Sequence, residues 1–232
     1  RVRAGDLLTY PVHFQNVPTA SAPAQEVVLE DPLDASLALS TLRVVAIGWG
    51  DESLLPPADS PAFRLRTEVP DSRPGNAKPW RVDVSSEVSG ADRLRLRFRT
   101  IDPATGELPD DPLAGFLPPD AATGRGQGWI SLSVRTKPGL ATGTRITNAA
   151  TIVFDTEAPI TTNEVFHTIG LPGDVNDDGV VNPGDVFYLV AFLYSGGPAP
   201  LGVADVNLDA KTDALDLFYL INHLFAGGPA PL

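Results

Sequence analysis

The chain has 232 residues, enough to bury the core of one large or two modest domains. It contains no Cys, which excludes disulfides, thiol catalysis and Cys-ligated zinc, and no apolar run approaches the ~20 residues that a membrane span needs. The net charge is −12, of which −7 falls in residues 171–232, where acids recur at regular spacing and argue against a nucleic-acid partner. Because Met is absent even from position 1, we expect a fragment of a longer protein.

Residues 1–168 are predicted to be β throughout. In Leu8, Tyr10, Val12 and Phe14 the apolar side chains alternate with polar ones, which is the period of a half-buried strand. About nine such strands are predicted, over residues 8–14, 25–29, 43–47, 63–69, 80–84, 93–99, 129–135, 144–154 and 163–168. Short strands separated by Pro, Gly and Asp turns indicate an antiparallel β-sandwich.

Residues 102–128 interrupt this rhythm with five prolines and no convincing strand. A connection of this length is uncommon in a compact domain. Two interpretations stay open: an ordered segment pinned to the sandwich by Leu113, Phe116 and Leu117, or a binding loop.

Residues 171–173 resemble a linker, and an internal repeat follows it. The segment Asp174, Val175, Asn176 recurs as Asp205, Val206, Asn207, and the offset of 31 residues also relates two Phe-Tyr-Leu segments and two Gly-Gly-Pro-Ala-Pro-Leu segments. We therefore divide the chain into a β-sandwich at 1–168 and a small all-α module at 169–232.

Each repeat has the spacing of a calcium loop. Calcium takes six to eight oxygen ligands, which such a loop supplies from positions 1, 3, 5, 7, 9 and 12, with a sharp turn at position 6. The first repeat offers Asp174, Asn176, Asp178, the Val180 carbonyl, Asn182 (directly or through a water) and Asp185. The second offers Asp205, Asn207, Asp209, the Lys211 carbonyl, Asp213 and Asp216.

Two Ca²⁺ ions are therefore expected. Acidic turns that only cap helices are the alternative, but two complete loops at a fixed offset, each before an apolar helix, favour metal binding. At position 6 the first loop has Gly179 and the second has Ala210. If the backbone there needs a positive φ, the alanine costs on the order of 1 kcal/mol. The additional carboxylate of Asp213 in the second loop works in the opposite direction, so the sequence does not rank the two sites.

This pattern, over residues 173–232, resembles the type I dockerin, a duplicated loop–helix similar to an EF-hand without its entering helix. The resemblance implies a calcium-dependent plug that attaches other modules to a cohesin, with the ligands named above. Many dockerins carry a small hydroxyl pair at positions 10 and 11 of each loop for cohesin recognition. Here those positions hold Pro183, Gly184, Ala214 and Leu215, a departure from the standard cohesin-binding pattern.

The predicted helices, near residues 185–194 and 215–225, are apolar almost all round. Two helices can hide only one stripe each against the other, so apolar surface is left over. The surface is expected to bind a cohesin-like or other protein partner, or to pack on the chain's own sandwich. A row of four arginines at 93, 95, 97 and 99 is expected to be a solvated sheet face, or else a receiver for the acidic module.

The sandwich resembles the immunoglobulin-like repeats of large bacterial surface proteins. The resemblance is carried by the opening segments at 5–10, 14–16 and 27–31 and the closing segments at 146–155 and 159–163. It implies a spacer or stalk without catalytic residues.

We therefore expect a secreted or extracellular cell-surface docking fragment and no enzyme, since His13, His167 and His223 show no zinc or nucleophile spacing. Two alternatives stay open. One is a calcium-stabilised stalk whose module packs on its own sandwich. The other is a carbohydrate-binding sandwich that carries a dockerin and stacks sugars on Trp49, Trp80 and Trp129.

Overall fold

The computed structural model describes residues 1–70, 79–90, 92–121 and 124–232. The strands are β1 (Leu7–Gln15), β2 (Glu26–Pro32), β3 (Leu37–Trp49), β4 (Glu52–Leu54), β5 (Phe63–Val69), β6 (Trp80–Ser89), β7 (Arg93–Ile101), β8 (Gln127–Thr136), β9 (Arg145–Asn148), β10 (Thr151–Phe154), β11 (Ile160–Thr161) and β12 (Val165–Thr168). The helices are α1 (Pro183–Ser195) and α2 (Ala214–Ala226). The predicted architecture, mainly antiparallel β with two helices at the end, is confirmed.

One compact unit comprises Leu7–Arg135 and Thr147–Val165. It contains a four-stranded sheet of order β1-β8-β3-β4 and a six-stranded sheet of order β11-β10-β2-β7-β6-β5. Along β1 every second side chain is buried, as the alternation predicts. Pro11 is tolerated there because β1 lies at the edge of its sheet, next to β8.

Aromatic rings from both sheets meet in the core of this unit. The ring of Phe98 on β7 lies 5.6 Å from that of Phe14 on β1 and 5.8 Å from that of Trp49 on β3, measured between centroids. Phe116, from the proline-rich segment, lies 5.6 Å from Trp49 in an edge-to-face arrangement. Phe116 and Leu117 are buried while Leu113 is exposed, so two of the three predicted anchors pin this segment to the sandwich.

The four arginines of β7 form ion pairs with two glutamates of the neighbouring β2, Glu26 and Glu30. All four arginine side chains keep a quarter or more of their surface exposed. Exposed pairs of this kind contribute little to stability. The arginine row is therefore a partly solvated face of the six-stranded sheet, on which the arginines pair with glutamates. This agrees with the expectation of a solvated sheet face.

The second compact unit comprises Arg1–Asp6, Thr136–Ile146 and Phe166–Leu232. Its N-terminal segment runs parallel to the chain near Ile169: the Val2 N–H donates to the Thr168 carbonyl at 3.1 Å, and the Gly170 N–H donates to the Val2 carbonyl at 2.9 Å. The domain division at 168/169 stays a prediction.

Two strand predictions differ from the structure. The single strand expected over 144–154 is two strands, β9 and β10, which belong to different sheets. The chain passes from one sheet to the other at residues 149–150, where the Ala150 N–H donates to the Thr162 hydroxyl and the Thr162 N–H donates to the Ala150 carbonyl. In addition, β4 and β11 were not predicted, since three and two residues are too short to show a period.

Candidate calcium-binding site

The two repeats form a pair of loop–helix units around a shared apolar core. Their helices bury one stripe each, and the buried apolar residues of the core are Val175, Val186, Leu189, Ala204, Val206, Leu217 and Leu220. Each helix ends at a glycine in the left-handed conformation, Gly196 with φ 68° and Gly227 with φ 70°. The repeat in the sequence is thus a repeat in structure, with equivalent start, core stripe and end.

Each helix is followed by a Gly-Gly-Pro-Ala-Pro-Leu segment, residues 196–201 and 227–232, that a tyrosine of the helix holds in place by a hydrogen bond. The Tyr188 hydroxyl donates to the Ala199 carbonyl at 3.2 Å, and the Tyr219 hydroxyl donates to the Ala230 carbonyl at 3.1 Å. Sequence reasoning did not assign these residues a role, although the same offset of 31 residues relates both pairs.

In the first loop, side-chain oxygens accept hydrogen bonds from the backbone of the same loop. The Asp174 carboxylate accepts from the N–H groups of Asp178 (3.0 Å) and Gly179 (2.8 Å), and the Asp178 carboxylate accepts from Val180 N–H (3.0 Å). The Asn176 amide oxygen also accepts from Asp178 N–H (3.0 Å). These short-range bonds fix the turn of the loop between its positions 1 and 7.

Asp185 closes the first loop and starts its helix. Its carboxylate is fully buried and accepts from the N–H groups of Val175 (2.7 Å), Asn176 (3.2 Å) and Asn182 (2.9 Å). Asn182 is the N-cap of α1, and its side chain accepts from Gly184 N–H at 2.6 Å. Loop positions 9 and 12 therefore coincide with the N-cap and N3 positions of a capping box.

The second loop repeats this arrangement. Asp216 is fully buried and accepts from Val206 N–H (2.8 Å), Asn207 N–H (3.4 Å) and Asp213 N–H (2.9 Å). Asp213 is the N-cap of α2 and accepts from Leu215 N–H at 2.8 Å. The capping alternative and the calcium alternative are thus compatible, because the same two residues in each repeat can do both.

Both loops contain two residues with positive φ. Position 6 has φ 90° at Gly179 and φ 65° at Ala210, as the wrapping of a calcium loop requires. Position 4 is left-handed as well, with φ 61° at Asp177 and φ 66° at Leu208. Sequence reasoning missed position 4, where neither residue signals a turn by being glycine.

The chemistry of the first loop fits a hard cation. Its carboxylates at Asp174, Asp178 and Asp185 have no ion pair with a Lys or Arg side chain within the described parts of the chain, and two of the three are buried. Buried carboxylates without a cationic partner need a compensating charge. Carboxylate, amide and carbonyl oxygens are the ligands that Ca²⁺ takes.

No group of three or more His, Cys, Asp or Glu converges as a metal cluster among residues 1–70, 79–90, 92–121 and 124–232. The predicted sets contain three Asp in the first loop and four in the second, and the other predicted ligands are Asn side chains and the Val180 and Lys211 carbonyls. The individual ligand assignments stay predictions.

Both helices expose large apolar side chains at equivalent positions. Phe187 is 72% exposed and Phe218, its repeat equivalent, is 63% exposed. Two helical turns further along, Tyr194 and Phe225 are exposed as well. By contrast, Trp49 is buried, which removes it from the sugar-stacking platform that the carbohydrate-binding alternative requires. Exposed apolar side chains also occur in the β domain, Leu55 and Ile160 among them, but those on the two helices recur at equivalent repeat positions.

A known protein family matches the segment that contains the two loop–helix repeats. Residues 172–225 match the family model of the Dockerin type I domain, which confirms the predicted resemblance of this module. A second model, described as a domain of unknown function (DUF7619), matches residues 116–168, the later part of the β domain. Calcium-dependent docking is the activity that the dockerin match suggests.

Two solved structures are similar to this chain. One is the N-terminal domain of the Streptococcus gordonii adhesin Sgo0707, with 13% identity and a TM-score of 0.42 over 72% of this chain and 29% of that one. The other is domains D2 and D3 of the major pilin SpaD from Corynebacterium diphtheriae, with 18% identity and a TM-score of 0.41 over 72% of this chain and 48% of that one. This chain thus spans less than half of each.

No curated protein matches the chain. Among the described residues no helix is both long and apolar enough to cross a membrane.

Proposed function

We propose that the chain is a docking fragment of a larger extracellular or cell-surface protein, in which two Ca²⁺ ions hold the dockerin module in the form that binds a protein partner. The observation that carries this proposal is the duplicated loop whose buried closing carboxylate, Asp185 or Asp216, is also the N3 residue of an exposed apolar helix. Ion binding and the placement of the docking helix therefore depend on the same side chain.

Calcium, when bound, supplies the positive charge that the loop carboxylates require. The chain's own residues do the rest: Asn182 and Asp213 cap the helices, and Asp185 and Asp216 tie each helix start to the beginning of its loop. Without the ion, the acids of each loop repel one another. We infer that chelation loosens the loops and misplaces the helices.

The proposed partner is a cohesin-type protein with an apolar binding face. Positions 10 and 11, where many dockerins carry hydroxyl groups, hold Pro183, Gly184, Ala214 and Leu215, of which Pro183 and Leu215 are exposed. The nearby exposed rings are Phe187 and Phe218. Recognition by this module would therefore depend on apolar burial more than on hydroxyl hydrogen bonds. We propose that the chain acts by binding and not as an enzyme.

A second candidate function is a calcium-stabilised structural element that recruits no partner. It is favoured by the N-terminal segment, whose Arg1 and Arg3 form ion pairs with Asp177 and Asp205 inside the same compact unit. In this case calcium would stabilise the unit itself, and the exposed helix faces would have no binding role.

Binding of the full chain to a panel of recombinant cohesin domains, measured by calorimetry in calcium and in chelator, tests the proposal. We expect at least one cohesin to bind only in calcium. The double substitution Phe187→Ala and Phe218→Ala should weaken that binding at least tenfold, whereas Leu55→Ala, at an exposed leucine of the β domain, should leave it unchanged. Calcium binding without capture of any cohesin would favour the structural element instead.

A further inference from the structure

Two arginines of the N-terminal segment reach the calcium loops, and they meet them at different positions. The Arg1 guanidinium donates to both carboxylate oxygens of Asp177, with its shortest contact at 2.8 Å. Asp177 is at position 4 of the first loop, which supplies no ligand. The Arg3 guanidinium lies 3.2 Å from the carboxylate of Asp205, which is position 1 of the second loop and a predicted ligand.

Arg3 is held in this place by the backbone around it. The parallel bridge between Val2 and Ile169 fixes the segment on one side of Arg3, and the Thr136 hydroxyl donates to the Arg3 carbonyl at 3.0 Å. The Arg3 N–H donates to Asp6 at 2.7 Å. Its side chain is only 11% exposed, in contrast to that of Arg1 at 33%. An ordered, largely buried guanidinium forms a stronger pair than a free surface one.

The two position-1 carboxylates differ accordingly. Asp174 accepts from the N–H groups of positions 5 and 6, Asp178 and Gly179, and is 3% exposed. Asp205 accepts from positions 4 and 6, Leu208 at 2.9 Å and Ala210 at 3.2 Å, and the oxygen near Arg3 is the one that accepts from Ala210. The repeat therefore departs from its symmetry at the residue that Arg3 contacts.

We propose that Arg3 makes the two calcium sites unequal, with a tighter site in the first loop and a weaker site in the second, and that calcium entering the second loop loosens the N-terminal segment. This inference rests on the proposed calcium function. Arg3 neutralises Asp205 in the metal-free loop and repels the incoming cation, so the ion must displace or outweigh it. Linkage requires that calcium weaken the contact of Arg3 by the factor by which Arg3 weakens calcium.

Titration of the full, metal-stripped chain with Ca²⁺ in a calorimeter tests the proposal. Two unequal sites are expected. Asp205→Asn should remove or weaken the weaker one and Asp174→Asn the tighter one. Arg3→Gln should tighten the weaker site by about tenfold and leave the tighter site unchanged.

Arg1→Gln is the matched control. The Arg1 guanidinium pairs with Asp177 of the first loop at 2.8 Å, so any effect of this variant on calcium binding should fall on the first loop. The affinity of the second loop should stay as it is. In hydrogen exchange, calcium should speed the Val2 and Gly170 amides in the unmodified chain and have a smaller effect in Arg3→Gln.

Equal sites in the unmodified chain, or an unchanged or weaker second site in Arg3→Gln, would overturn the inference while leaving calcium-dependent docking intact. A weaker site would mean that Arg3 orients Asp205 for the ion. Absence of calcium binding would end both proposals, and normal calcium binding with no cohesin captured would end only the docking proposal.

Discussion

The carboxylate of Asp185 accepts a 2.7 Å hydrogen bond from the N–H of Val175, ten residues earlier in the chain, and closes the first loop. Asp216 does the same for Val206 at 2.8 Å. Both carboxylates are fully buried, so removal of either leaves buried N–H groups without an acceptor.

Asp185→Ala and Asp216→Ala should each destabilise the dockerin-like module by about 2–4 kcal/mol in calcium and leave the β-sandwich folded. Each variant loses three charge-assisted hydrogen bonds, a helix-capping residue and a predicted ligand. Calorimetric unfolding with and without chelator measures this, and the single variants should respond less to chelator than the unmodified chain. If chelator sensitivity is the same in both variants as in the parent, these residues are not ligands.

Chelation alone should lower the melting temperature of the module. A bound ion stabilises the native state by RT ln(1 + [L]/Kd), roughly 2.7 kcal/mol per site at a hundredfold excess over Kd. Scanning calorimetry over a calcium series should therefore show one transition that moves with calcium and a second, from the sandwich, that does not. Mg²⁺ at the same concentration should have a smaller effect, because it demands a tighter, more regular shell. A calcium series that moves neither transition contradicts the calcium proposal.

Ala210→Gly should stabilise the module by about 1 kcal/mol. Ala210 has φ 65°, a conformation that an L-residue adopts at a cost and that glycine, as at Gly179, adopts freely. Chemical denaturation in saturating calcium measures the gain. The reverse change, Gly179→Ala, is the matched control and should lower stability by a similar amount, since a Cβ there meets no atom within 4 Å and only the backbone conformation is at issue. A loss of stability in Ala210→Gly would mean that unfolded-chain entropy outweighs the strain.

The loop–helix repeat could be predicted from the sequence because its information is local. Ligand spacing, helix start and capping all lie within a dozen residues, and the predicted helices near 185–194 and 215–225 extend by only one or two residues at each end. The contacts of Arg1 and Arg3 could not be predicted this way, since their partners lie about 180–200 residues away. The alternation in Arg1, Val2 and Arg3 does place both guanidinium groups on one side of an extended segment, but it does not say what faces them.

In the β domain, too, local features could be predicted from the sequence and features set by distant contacts could not. Alternation found the long strands, whereas the split of residues 144–154 into β9 and β10 depends on which sheet each half joins. Asp31 illustrates a further limit: alternation places it on the buried face of β2 with Val27 and Leu29, but the sequence of β2 does not say what would satisfy a carboxyl group there. The partner is tertiary, since the Asn148 amide, from β9, donates to it at 3.1 Å.

Asp31 makes the stability of the β domain depend on pH. Burial raises the pKa of its carboxyl from 3.8 to about 6, partly offset by the hydrogen bond from Asn148. The folded state thus holds the proton more tightly than the unfolded state. The contribution of Asp31 to stability is therefore greatest below about pH 4, falls as the pH rises toward 6 and is lost above it, a change of about 3 kcal/mol.

Asp31→Asn should therefore raise the free energy of unfolding at pH 7 by about 2–3 kcal/mol relative to the parent and by little at pH 4. The uncharged amide avoids the desolvation of a carboxylate and adds a donor beside the Asn148 side-chain oxygen, which is buried without a hydrogen-bond partner among the described residues. Denaturant unfolding at several pH values, compared between variant and parent, isolates this group from the others that titrate. Asp34→Asn is the control of opposite sign. Burial raises the pKa of Asp34, but the hydrogen bonds from Ser36 and Thr147 outweigh burial, so the net pKa is lowered. This variant should therefore lose stability at pH 7. A difference between Asp31→Asn and the parent that does not vary between pH 4 and 7 would mean that Asp31 titrates normally in the folded chain.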